Sequence, residues 1–278
     1  GDTAVRCTTP ATGVADGPIG VELSLNGQQY TSLAQTLALY QATSAAPASG
    51  PADGGTLVKI GGTALDNCAA DGVTCECRFG DSAAVVAAPT GAAGEVACMQ
   101  PPTGVGNVPV QLRMVTAAGD ACVDSSNTLR FVVRPPPEIS AAEPLSGFQT
   151  GGAQVWVKGI GFAQSNALAC RFGDAPAAVE FFGASEVKCT SPKVDADTLA
   201  APIQLTLNGQ QWFPPVADAP EFLYSRVPKP ERLEPASAPV GVALKIAVSG
   251  ADLDGGTDYR CAFGPLETPA VWSAADGA

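Results

Sequence analysis

Cysteine is the residue type in this chain with the clearest capacity for chemistry: 278 residues hold nine cysteines and no histidine. Thiols can pair as disulfides, bind a soft metal or act as nucleophiles, and spacing separates these uses. Cys77 and Cys98 stand about 20 residues apart, as do Cys170 and Cys189, at equivalent places in an internal repeat. That recurrence predicts one disulfide per repeat, each closing a loop of ~20 residues and contributing roughly 3 kcal/mol in the chain-entropy picture. Buried reduced thiols, packing as small apolar groups, are the competing reading. Cys7 and Cys261 occupy the corresponding places in the incomplete repeats at either end, so their partners are expected outside the sequence. Cys68, Cys75 and Cys122 are left over; a bond from Cys122 to Cys68 or Cys75 is expected, with a local Cys68–Cys75 bond as the alternative. Disulfides would place the protein in an oxidising compartment.

Other chemistry is weakly represented. Without histidine there is no Ser-His-Asp or Cys-His pair, no common zinc-hydrolase site and no side chain tuned for proton transfer near pH 7. A zinc site on Cys75-Glu76-Cys77 fails because one intervening residue is too few for the usual ligand spacing. The stretch Asp252-Leu253-Asp254-Gly255-Gly256-Thr257-Asp258 resembles a fragment of a calcium loop, but it lacks the bidentate glutamate and reads as an acidic turn. Gly159-Ile160-Gly161 ends a strand and does not lead into a phosphate-cradling helix. No carboxylate pair stands out for glycoside hydrolysis. Catalytic residues, metal ligands and cofactors are therefore all predicted to be none.

The elements that position these residues follow from the repeat, whose period is about 91 residues. Cys77-Arg78-Phe79-Gly80-Asp81 recurs as Cys170-Arg171-Phe172-Gly173-Asp174 and as Cys261-Ala262-Phe263-Gly264. A valine two residues before a cysteine occurs at Val5/Cys7, Val96/Cys98 and Val187/Cys189. Leu25-Asn26-Gly27-Gln28-Gln29 matches Leu207-Asn208-Gly209-Gln210-Gln211 two periods later. The order of these markers divides the chain into 1–41, the C-terminal part of a first repeat; 42–134 and 135–227, two whole repeats; and 228–278, the N-terminal part of a further one. The chain therefore reads as a segment of a longer protein.

Strand periodicity fills each repeat. Val155, Val157 and Gly159 alternate with Trp156 and Lys158, and Leu244, Ile246 and Val248 alternate with Lys245 and Ala247. Ile203, Leu205 and Leu207 alternate with polar residues before Asn208-Gly209, which predicts a tight hairpin with positive φ angles. About seven short strands in ~90 residues is the pattern of an antiparallel β-sandwich. Glycine (31) and proline (24) are abundant, as many turns require. A helical pattern shows only weakly, over 33–40. Arg134-Pro135-Pro136-Pro137 and Val227-Pro228-Lys229-Pro230 read either as stiff spacers or as the edge starts of each first strand.

The order of motifs resembles the IPT/TIG family, the immunoglobulin-like sandwiches shared by plexins, some transcription factors and many cell-surface receptors. In one repeat the matching residues are Pro47-Ala48-Ser49-Gly50-Pro51, Gly54-Gly55-Thr56, Val58, Ile60, Gly61 and Phe131-Val132-Val133 around the CRFGD and ValxCys markers. In the next they are Pro144-Leu145-Ser146-Gly147, Gly151-Gly152, Gly159-Ile160-Gly161-Phe162, Val187-Lys188-Cys189-Thr190-Ser191-Pro192 and Phe222-Leu223-Tyr224. The last unit departs from the pattern, with Val240-Gly241 where a Gly-Gly pair is expected. The resemblance implies an all-β chain of tandem immunoglobulin-like (IPT/TIG) β-sandwiches, and it supports a fold better than a function.

With 15 basic against 27 acidic residues the net charge is −12, which argues against nucleic acid as a partner. No apolar run reaches the ~20 residues of a membrane helix, and no Asn-x-Ser/Thr acceptor for N-glycans occurs. The expected function is a non-catalytic structural or adhesive segment of a large extracellular protein, acting as spacer and contact surface for other chains or copies of itself. The Ala-, Gly-, Pro- and Val-rich style matches proteins of GC-rich genomes such as those of green algae and suits a ciliary surface fibre of the mastigoneme kind or a cell wall. The alternative is the ligand-binding ectodomain of a plexin-like or other surface receptor. Trp156, Trp212 and Phe213 are the candidate contact residues, because exposed aromatics often anchor interfaces.

Overall fold

The structure, a computed structural model, describes residues 4–10, 17–32, 35–69, 72–116, 121–123, 129–256 and 258–273. The chain divides into two compact units, Gly1–Pro135 and Pro136–Ala278. The described residues form strands joined by turns, with two short 3-10 turns at Leu65–Ala69 and Val216–Asp218. Among them no helix is long and apolar enough to cross a membrane.

In the second unit one sandwich is complete. Strands Glu138–Glu143, Gln154–Ile160, Glu186–Thr190 and the later part of Ala175–Gly183 form one layer. Ala169–Phe172, Ala200–Thr206 and Glu221–Ser225 form the other. Two devices connect the layers. Ala175–Gly183 pairs first with Ala169–Phe172 through Ala175 to Ala177, then with Glu186–Thr190 from Ala178 onward. The opening strand stops at Glu143 and resumes as Ser146–Phe148, which lies parallel to Glu221–Ser225 on the opposite layer. That split gives eight strands where the alternation in sequence suggests about seven.

The first unit repeats this plan. Gln41–Ala46, Leu57–Thr63, Glu95–Met99 and Ala88–Pro89 form one layer; Ser49–Pro51, Arg130–Arg134, Gly106–Thr116, Val73–Phe79 and Val85–Val86 form the other. Period-two alternation puts one face of each strand in the core. Val58 and Ile60, like Val155 and Val157, are buried, while Lys59 is exposed and Trp156 half-buried. Each core is centred on an edge-to-face aromatic pair, Phe79 with Phe131 and Phe172 with Phe222.

One packing requirement recurs three times. A Cβ on Gly62, Gly159 or Gly250 would overlap the carbonyl oxygen of Gln41, Glu138 or Lys229 on the adjoining first strand. Each of these first strands carries a register shift, between Ala42 and Ser44, Ile139 and Ala141, and Pro230 and Arg232. The bulge brings backbone against backbone, and only glycine leaves room for it.

Two local expectations change. Gln35–Leu39 is a strand paired with Gly17–Val21, so the helical pattern over 33–40 gives way to strand pairing; 33–34 lie outside the described residues. At Asn208-Gly209 only the glycine has positive φ, 72° in its counterpart Gly27 and 77° in Gly209. The asparagine shapes the turn with its side chain instead: Oδ1 of Asn208 accepts from the backbone N–H of Gln210 and Gln211. The returning chain bridges Leu205 at Phe213, then detours through Val216–Asp218 before pairing again from Glu221, so the connection is wider than a two-residue hairpin.

Candidate functional site

Among the described residues there are three disulfides. Cys77–Cys98 and Cys170–Cys189 each span 6.2 Å between Cα atoms and join the two layers of their sandwiches at the same place. Their four sulfur-bearing residues are fully buried in the cores. The third bond is Cys68–Cys75, which ties the 3-10 turn Leu65–Ala69 to the start of Val73–Phe79. This corrects the expected bond from Cys122 to Cys68 or Cys75. Met114 pairs with Cys75 on one side and with Cys122 on the other, so Met114 stands between the two cysteines. Two strand spacings of ~4.8 Å put their Cα atoms beyond the ~7 Å a disulfide can bridge. The Cys122 side chain lies outside the described residues. Cys7, exposed, and Cys261, half-buried, are unbonded.

The outer face of the second unit's first layer carries a cross-strand row. Glu143, Trp156, Lys188 and Glu180 are successive register partners on four adjacent strands. Lys188 Nζ lies 2.8 Å from Glu180 Oε2 and over two rings, 5.6 Å from the centroid of Trp156 and 5.5 Å from that of Phe182. Trp156 and Phe182 themselves meet at 4.8 Å, tilted by 55°. The ammonium is thus held by a carboxylate and two aromatic faces, an arrangement that orders the surface. Phe182 is exposed, and sequence reasoning missed it. Its signal was the Phe181-Phe182 doublet in a strand, where one ring must point inward and the other outward.

Trp212 and Phe213 sit elsewhere, on the second layer, and do not join Trp156. The Arg171 guanidinium lies 4.5 Å over the Trp212 ring and donates from Nε and Nη2 to Gln204 Oε1 at 2.9 and 2.7 Å. Gln204 Nε2 in turn donates to the Pro214 carbonyl at 2.6 Å, and Phe213 exchanges two backbone hydrogen bonds with Leu205. Both aromatics are half-buried against their own sandwich.

The remaining polar groups are arranged for structure. Among the described residues no group of three His, Cys, Asp or Glu side chains could hold a metal ion. In the acidic stretch, Asp252 faces Arg226 at 3.6 Å and Asp258 faces Arg260 at 2.9 Å, so two of its three carboxylates have cationic partners. An open recess of about 470 Å³ lies between Phe172–Pro176 and the 193–202 segment, with Asp174, Lys193 and Asp195 on its rim. Burial pushes the Tyr224 phenol up to about 12, and its hydroxyl lies 3.5 Å from the Pro192 carbonyl.

Against known proteins, the IPT/TIG domain pattern matches residues 41–131 and 137–217. No curated protein matches the chain. Among solved structures, the plexin A4 full extracellular region is 17% identical, with 88% of this chain and 21% of that one covered at a TM-score of 0.47. A second plexin A4 extracellular structure is 16% identical, covering 73% of this chain and 20% of that one at 0.41. The surface glycan-binding protein PbSGBP-B of Prevotella bryantii is 14% identical, covering 61% and 40% at 0.24. The chain spans about a fifth of the plexin chains it matches, and at these scores the likenesses carry no functional argument. The family pattern covers more than half of the sequence, on two stapled two-layer sandwiches of the same topology, and the chain belongs to the IPT/TIG family.

Proposed function

We propose that the chain is a non-catalytic structural and adhesive segment of a large extracellular protein, of a ciliary surface fibre of the mastigoneme kind or of a cell wall. The observation that carries this reading is the repeated inter-sheet disulfide, Cys77–Cys98 and Cys170–Cys189, at one place in successive sandwiches. Disulfides form and persist outside the reducing cytosol, and a covalent staple in each unit suits a spacer under mechanical load. Exposed Phe182 with half-buried Trp156, ordered by Lys188, supplies an aromatic face for contact with other protein chains or copies of the same one.

Antibody labelling tests this reading. An antibody against the chain should mark intact, unpermeabilised cells, and the label should remain after detergent strips the membranes. Label that appears only after permeabilisation would overturn the extracellular assignment. Surface label lost with detergent would replace the fibre or wall with the receptor ectodomain.

A further inference from the structure

The two complete sandwiches carry opposite charge on their outer faces. Of the five basic residues in 42–134, four are arginines on one layer of the first unit, the layer of Val73–Phe79, Gly106–Thr116 and Arg130–Arg134. Strand alternation turns them outward. Cys77 and Phe79 are buried on either side of Arg78, Leu112 is buried before Arg113, and Phe131 and Val133 are buried after Arg130 and before Arg134. Arg113 Nε donates at 2.6 Å to its register partner Glu76, the one carboxylate in the described strands of this face. Arg78 Nε donates to the Ser82 carbonyl at 3.2 Å, and Arg130 is exposed. Among the described residues Arg78, Arg130 and Arg134 form no ion pair.

The second unit is acidic on its opposite layer, around Trp156 and Phe182. Glu138, Glu143, Glu180 and Glu186 stand on that face with Lys158 and Lys188. Lys188 is bound to Glu180 at 2.8 Å, and Lys158 is the register partner of Glu186. Glu138 and Glu143 are exposed and form no ion pair among the described residues. The fold itself does not require these charges. The row Glu143, Trp156, Lys188 and Glu180 is replaced in the first unit by Ala46, Lys59, Ala97 and Ala88, with Lys59 paired to Glu95 at 3.5 Å. Arg171, the counterpart of Arg78, is covered by Trp212 and bonded to Gln204 of its own sandwich. Unlike charges gathered on faces that packing leaves open favour recognition of one by the other.

We propose that the arginine face of the first unit of one copy docks on the glutamate and aromatic face of the second unit of another copy. The inference rests on the reading of Trp156 and Phe182 as a contact face and specifies what meets it. Guanidinium suits that face, because it pairs with carboxylates and also stacks on aromatic rings. Glu138 and Glu143 supply the carboxylates, and Phe182, 53% exposed, supplies a ring. The carboxylate of Glu76 among the arginines fits a protein surface of mixed charge better than a uniform polyanion. Two different surfaces meet, so the contact is heterologous.

The test exchanges charge between the two faces of the 278-residue chain and reads association by sedimentation velocity. The unaltered chain should associate as its concentration rises at ~50 mM salt and dissociate at ~500 mM. The double variants Arg78→Glu/Arg130→Glu and Glu138→Arg/Glu143→Arg should each associate at least about tenfold more weakly, since like charges then face each other. Mixed in equal amounts they should associate again, because the intact glutamate face of the first meets the intact arginine face of the second. Both variants remain negatively charged overall, so gross attraction does not explain such a rescue. An unaltered chain that stays monomeric, variants that associate as it does, or a mixture no better than its components would each overturn the proposal. A monomeric chain that binds dextran sulfate through Arg78 and Arg130 would assign the basic face to a polyanion instead. Phe182→Ala separates the two readings. Association lost in Phe182→Ala but kept in the charge variants would retain the contact face and overturn its occupant, whereas association indifferent to Phe182→Ala would overturn the contact face itself.

Discussion

The rings of Phe172 and Phe222 meet edge to face with centroids 5.1 Å apart, and Phe79 meets Phe131 the same way at 5.4 Å in the other unit. All four rings are essentially inaccessible to water. Phe222→Ala should therefore destabilise its sandwich by ~3–5 kcal/mol, the usual cost of an emptied aromatic site, read as a lower urea midpoint. Phe182→Ala, on the outer face, should cost no more than about 1 kcal/mol. Equal effects at the two positions would contradict the assignment of inner and outer faces.

Removing the staple should cost no more than removing Phe222, a ring of the same core. The double variant Cys170→Ala/Cys189→Ala is expected to lose ~3 kcal/mol, with the same fold retained by circular dichroism. Loss of all cooperative unfolding would mean that the apolar layers alone cannot hold the sandwich.

Arg171 and Trp212 should be coupled. A double-mutant cycle through Arg171→Ala and Trp212→Ala should return ~0.5–1 kcal/mol for the cation over the ring. A coupling indistinguishable from zero would show that the two side chains do not share a contact in solution.

Tyr224 supplies the pH dependence. Its folded pKa, raised by burial from 10.0 to about 12, exceeds that of the unfolded chain. The folded state thus holds its proton more tightly, so the contribution to stability is complete below pH ~10 and is lost as pH rises toward ~12. An absorbance titration of tyrosinate should show a late step near pH 12, and Tyr224→Phe should remove it.

The features that the sequence made legible were those that repeat within it. The CxFG and ValxCys markers recur at one period, and the inner-face alternation at Val155 and Val157 is local. What escaped depended on neighbours distant in sequence. The bond to Cys122 failed because Met114 separates it from Cys75, a register relation across three strands. The requirement for glycine at 62, 159 and 250 comes from the bulged first strand packed against them, which no local pattern shows. Phe182 gained meaning only beside Lys188 and Trp156, one and two strands away from its own doublet. Trp212, a candidate contact residue by sequence, lies under Arg171.

The central claim is a stapled sandwich maturing in an oxidising environment, and thiol state tests it most directly. Protein taken from its source, alkylated before disruption and digested without reductant, should yield Cys77 joined to Cys98 and Cys170 joined to Cys189. Alkylated free thiols at both Cys170 and Cys189 would contradict the disulfides and the extracellular reading together.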